Sequence, residues 1–121
     1  KKGEFKTRVR IAEGSDEVYL LLNDRWMNPS DTVARHECMY EVKLARKQLG
    51  IRDNKWHELT VSWDLNQKNP VARIQVDGKK RNLRLNLKRK TLHGISYAHF
   101  MACPAKENPG IEVEWVKASK K

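Results

Sequence analysis

The sequence predicts an all-β protein, an antiparallel β-sandwich of about eight strands with little helix. Three observations lead there. Apolar and polar residues alternate with period two through most of the chain. Turn-forming residues interrupt the alternation at short intervals. Asp77-Gly78 joins two such runs, and this dipeptide favours a two-residue hairpin because both central positions need positive φ.

The elements follow in order. Residues 3–12 set Phe5, Thr7, Val9 and Ile11 against Lys6, Arg8 and Arg10. Gly14-Ser15-Asp16 makes a turn, and 17–22 is an apolar strand. Residues 23–32 contain Asn28-Pro29-Ser30-Asp31 and read as a loop. Residues 36–44 alternate again, with Cys38, Tyr40, Val42 and Leu44 on one face. Residues 45–50 suit either a short helical turn or a loop, having helix-favouring residues but no length. Residues 56–64 point Leu59, Val61 and Trp63 inward, and 71–76 do the same with Ala72, Ile74 and Val76. After the Asp-Gly turn, 81–87 return with Leu83, Leu85 and Leu87 inward. Residues 94–103 form a further strand, and Ile111, Val113 and Trp115 alternate with Glu112 and Glu114 in a closing one. On parity, Trp63 and Trp115 belong to the core, Trp56 caps its edge, and Trp26 is the exposed tryptophan of a loop.

A chain of 121 residues suits one domain, expected over 3–118 with basic tails at 1–2 and 119–121. The net charge of +10 favours encounter with anionic partners. No apolar run approaches the roughly 20 residues of a membrane span. The two cysteines, Cys38 and Cys103, lack a CxxC spacing, so neither a zinc ribbon nor a thioredoxin-type site is supported. Two buried thiols are the ordinary expectation; a single disulfide is the alternative. A chain that opens on Lys1 and shows no signal peptide reads as a domain cut from a larger protein.

Lys55-Trp56-His57-Glu58-Leu59-Thr60-Val61-Ser62-Trp63-Asp64, followed by Ala72-Arg73-Ile74-Gln75-Val76-Asp77-Gly78-Lys79, resembles the hairpin of laminin-G-like and concanavalin A-like (jelly-roll) sandwich domains. Leu22-Asn23-Asp24-Arg25-Trp26, Gly94-Ile95-Ser96-Tyr97 and Ile111-Glu112-Val113-Glu114 extend the likeness to accessory domains of bacterial sialidase-like (BNR-repeat) proteins. That resemblance implies a carbohydrate-associated module in a secreted or periplasmic protein, with neighbouring domains in its parent chain as partners. The strongly basic surface and Cys103 depart from the pattern.

Jelly-roll glycosidases carry paired carboxylates on one strand face. Here Glu112 and Glu114 share a face, but the third acidic position is Lys117, and alternation alone explains them. His36, His57, His93 and His99 make no metal-ligand spacing, and no nucleophile elbow is present. The domain therefore reads as non-catalytic. Asp64, Asn66 and Asn69 form an oxygen-rich loop. Calcium is the ion the resemblance implies there, while a polar hairpin loop is the simpler account; no other cofactor is indicated.

For ligand binding, Trp26 beside Asn23, Asp24 and Arg25 suits a sugar, the ring stacking on a pyranose face while polar groups fix its hydroxyls; the plainer alternative is a loop that plugs one end of the sandwich. Glycan would contact loop 23–28 or a basic sheet face carrying Lys6, Arg8, Arg10, Arg73, Arg84 and Lys88, and would then be acidic. Nucleic acid is not favoured, because those basic strands show no interleaved aromatics. Besides lectin-like binding, the sequence leaves open a structural domain that orients a catalytic neighbour, and a glycoside hydrolase on the same fold.

Overall fold

The structure, a computed structural model, describes residues 2–15, 17–26, 33–45, 47–91, 93–102 and 110–120, with backbone alone at 33 and 80–82. Eight strands among them form two antiparallel sheets. The strands are β1 (Lys2–Ile11), β2 (Val18–Asn23), β3 (Tyr40–Lys43), β4 (Trp56–Asp64), β5 (Ala72–Val76), β6 (Lys79–Leu85), β7 (Tyr97–Ala102) and β8 (Ile111–Lys120). Helix α1 (Val33–Glu37) and a 3₁₀ turn (Lys47–Leu49) complete the described elements. None of the described helices is long and apolar enough to cross a membrane.

The five-stranded sheet runs β6-β5-β4-β1-β8 and the three-stranded sheet β3-β2-β7. Their facing sides hold the main core: Phe5, Val9 and Ile11 of β1, Leu59 and Val61 of β4, Ile74 of β5, and Leu20 and Leu22 of β2. The period-two pattern thus does what it predicts, burying one side chain in two. Asp77 and Gly78 both have positive φ (53° and 78°), as the Asp-Gly hairpin requires. Strands β1 and β8 extend into the expected tails, taking in Lys2, Ser119 and Lys120. Cys38 is a buried free thiol, pushed up to about 11 by burial; Cys103 lies outside the described residues.

Strand β2 is buried on both faces. Its outward residues Tyr19 and Leu21 pack with Ala34 and Cys38, from α1 and the residue following it, and with Met101. That covering explains why the strand reads as a continuous apolar run. It also corrects the strand expected over 36–44. Residues 36 and 37 are helical, and the strand begins at Tyr40. Cys38 packs outside the three-stranded sheet, whereas Tyr40 and Val42 face the main core.

A second correction concerns Trp115. The β1–β8 register pairs Val9 with Val113 but Arg8 with Trp115, leaving Glu114 as an extra residue. This bulge exchanges the two faces from there onward. Trp115 therefore lies outside with Arg8, at 36% exposure, and Val116 replaces it on the inner side. Trp56 also lies outside, its ring beneath the guanidinium groups of Arg8 and Arg10 at 5.5 and 5.1 Å. Thr7 is fully buried and donates its hydroxyl to the Trp115 carbonyl at 2.9 Å. Thr7→Val removes that donor and is expected to lower the unfolding free energy by about 1 kcal/mol, read by urea melts. No change would mean that the hydroxyl does not hold the bulge.

Candidate functional site: an open cleft between the sheets

The sheets differ in width. Strand β7 packs over β1, where Phe100 meets Phe5 with ring centroids 6.3 Å apart. Beyond it, the inner side of β8 has no strand above it among the described residues. Val116 is accordingly 56% exposed despite facing inward. The overhang opens a cleft of about 750 Å³. Gly3, Phe5, Val116 and Ala118 form its floor, and Ile95, Ala98 and Phe100 its opposite wall. Trp63 also lines it, and Ser96 and Lys120 contribute polar groups; Lys2, Glu4, Tyr97 and Ser119 lie at its rim, their side chains turned to the outer faces of the sheets by the register.

Trp63 is the cross-strand partner of Gly3. A Cβ on Gly3 would lie 2.5 Å from Trp63 Cζ2. Only a glycine there lets the indole lie across β1, an aromatic filling the gap a missing side chain leaves. The cleft thus combines aromatic and aliphatic walls with a hydroxyl and a lysine at its edge, a make-up suited to a small ligand.

The loop after β2 leaves the molecule at the same end. Asn23 pairs with Tyr97, and the Ser96 N–H donates to the Asn23 carbonyl at 2.9 Å. Asn23 is buried, and its Oδ1 accepts from Arg89 Nη2 at 2.6 Å and from the Asp24 N–H at 3.0 Å. The Asp24 carboxylate is bound by Arg89 and the Thr91 hydroxyl. Hydrogen bonding from Arg89 holds that carboxyl well below the usual range, outweighing burial. Arg89 also donates to the Glu37 carbonyl at 2.9 Å. Asn23 and Asp24 therefore tie loop 88–91 to β2, while Arg25 and Trp26 (64% exposed) face solvent. Met27 and Asn28 lie outside the described residues. Two buried polar atoms, Asn23 Nδ2 and His99 Nε2, find no partner among the described residues.

No family model, curated protein or solved structure matches this chain.

Arg73 and Arg84 lie elsewhere, directly opposite each other on the outer face of the wide sheet. They are not brought together with loop 23–26. Glu112 and Glu114 are held on that same face by Arg10 and Arg8, each at 2.7 Å. Of the histidines, His57 is buried. Its Nδ1 lies 2.7 Å from Asp77 Oδ2, and its Nε2 accepts the Arg52 N–H at 3.1 Å. These contacts assign the Nδ1–H tautomer and a bracing role. Asp64 Oδ1 accepts the Asn66 N–H at 3.0 Å and Oδ2 the Gln67 side-chain amide at 3.1 Å, closing the 64–70 loop on itself. No group of three or more His, Cys, Asp or Glu among the described residues could hold a metal ion.

Parity marks Phe5 and Trp63 as inward. Nothing in the local pattern marks them as lining an opening. That depends on the unequal strand counts, which are a tertiary fact.

Proposed function

We propose that this chain is a non-catalytic, lectin-like accessory domain of a larger secreted protein, and that it binds glycan in the open cleft between its sheets. The cleft itself carries the reading. Trp63, Phe5 and Phe100 offer aromatic surface, and Ser96 offers a hydroxyl, the combination that recognises a sugar ring. The exposed Trp26 leaves from the same end of the molecule. The likeness of the Trp-His and Val-Asp-Gly segments to concanavalin A-like domains supports the same class. The ion pairs that engage Glu112 and Glu114 on the opposite face support a non-catalytic role.

A glycan array followed by calorimetry tests this. Ala118→Trp and Val116→Trp fill the cleft from its floor, both at exposed positions. Each is expected to weaken glycan binding at least tenfold with an unchanged melting temperature. Retained binding in both would overturn the cleft as the site. Glycan hydrolysis lost on Glu112→Gln or Glu114→Gln would overturn the non-catalytic role.

The overhang of β8 favours a second reading, a structural module whose exposed Val113 and Val116 dock a neighbouring domain of the parent chain. Val113→Glu, at an exposed position outside the cleft lining, would then weaken domain association and leave glycan binding intact.

A further inference from the structure

We propose a second binding surface, separate from the cleft: the outer face of the five-stranded sheet takes a linear acidic polysaccharide laid across its strands. The inference rests on strand register. Directly opposed residues share a face, so the pairings place side chains in rows. One row reads Arg84, Arg73, Ser62, Glu4 and Ser119 from β6 to β8. The next reads Gln75, Thr60, Lys6 and Lys117 from β5 to β8.

Two like-charge pairs stand out, Arg73 opposite Arg84 and Lys6 opposite Lys117. Like charges directly opposed across strands destabilise a sheet, and an anion between them relieves the repulsion. Arg73, Arg84 and Lys117 have no ion pair among the described residues, and Lys6 reaches only Glu4, at 3.4 Å. Solubility alone does not require this arrangement. The next two rows of the same face show the alternative, Arg10 and Arg8 being matched by Glu112 and Glu114. The basic character continues past β5: residues 78–106 hold eight Lys and Arg and no Asp or Glu.

Spacing and chemistry select the ligand. The two cationic pairs are centred three strand spacings apart across the sheet and two residues apart along it, about 16 Å in all. Between them lie Thr60, Ser62 and Gln75, hydroxyl and amide groups suited to sugar hydroxyls, and Glu4, whose charge Lys6 engages at 3.4 Å. These two rows contain no aromatic ring. Trp115 lies on the same sheet face one row on, opposite Arg8, and Trp56 lies beneath Arg8 and Arg10, so neither ring stands between the cationic pairs. A sheet that binds single-stranded nucleic acid offers open rings for base stacking. Hydroxyls flanked by cations favour a polysaccharide bearing sulfate or carboxylate groups.

The test compares heparin, polygalacturonate, neutral dextran and a single-stranded DNA oligonucleotide at two salt concentrations. Two double variants are used, Arg73→Gln with Arg84→Gln and Lys6→Gln with Lys117→Gln. A control of equal charge loss, Lys47→Gln with Lys55→Gln, alters exposed lysines elsewhere. The expected result is binding to heparin, polygalacturonate or both, weakened at least tenfold by each face variant and less than twofold by the control. Which polymer binds separates sulfate from carboxylate recognition. Affinity should fall with salt, and the face variants should melt no lower than the parent. Equal losses in the control, tighter binding of DNA than of either polysaccharide, or no binding to either would each overturn the proposal. Cleft variants such as Ala118→Trp should leave this binding unchanged, so this surface and the cleft fail independently.

Discussion

Replacing Asp24 with alanine is expected to lower the unfolding free energy by about 2–3 kcal/mol. Its carboxylate is bound by Arg89 and Thr91, and its side chain is only 9% exposed. The substitution removes a charge-assisted acceptor and leaves the Arg89 guanidinium half-buried against Asn23 and the Glu37 carbonyl. Isolating one member of such a pair costs more than a surface ion pair is worth. The consequence reaches the cleft, because loop 88–91 is tied to the strand end that holds Ser96 and Tyr97. The effect also depends on pH. Arg89 depresses the folded carboxyl below its unfolded value of about 4. Its contribution is therefore complete above pH about 4 and is lost as pH falls through the lower folded value. Asp24→Asn should be less stable than the parent at pH 7, with the gap narrowing as pH falls below about 4. Urea melts across this range provide the check; a gap that stayed constant would exclude the ion pair as its source.

Asp77→Ala is the second large effect, expected at about 2–3 kcal/mol. Two independent losses combine. Asp77 adopts φ 53°, a left-handed conformation that aspartate, asparagine and glycine tolerate and alanine does not. Its carboxylate also accepts the Glu58 N–H at 2.8 Å and lies 2.7 Å from His57 Nδ1. Burial pushes the carboxyl up, but the Glu58 N–H and His57 together outweigh it and hold it below the usual value. Removing the acceptor leaves a buried imidazole N–H unmade. Asp77→Asn keeps the backbone preference and one acceptor oxygen, and should cost about 1 kcal/mol. Equal destabilisation by the two variants would show that the backbone conformation contributes nothing. The His57 ring NMR signals provide a second readout, since the alanine variant leaves Nδ1 without an acceptor whereas the asparagine variant keeps one oxygen, for Nδ1 or for the Glu58 N–H.

These two aspartates differ in how far the sequence exposes them. Asp77 is legible: Asp-Gly between two alternating runs forces a tight turn, and the Trp-His strand supplies its partner 20 residues away. Asp24 is read from sequence as one of a polar set facing a ligand beside Trp26. Its partner Arg89 lies 65 residues on, and no local pattern joins them. The same contrast separates the tryptophans. Trp63 follows parity and packs against the core. Trp115 has the same parity with Ile111 and Val113, yet one extra residue at Glu114 turns it outward. Alternation cannot reveal a bulge, because the bulge is an agreement between two strands about 100 residues apart (Thr7 to Trp115, 108).

By itself, then, the sequence determined the all-β class, the main inward residues and the 56–85 hairpin. Each follows from a period of two or from a φ preference, properties a few neighbouring residues carry. Only the tertiary structure decided that one sheet has five strands and the other three, and so that an aromatic-lined cleft lies open beside β8. It alone set Arg73 opposite Arg84 and Lys6 opposite Lys117. Register and sheet width arise from pairings between distant segments, and the side chains that line a surface are chosen by those pairings.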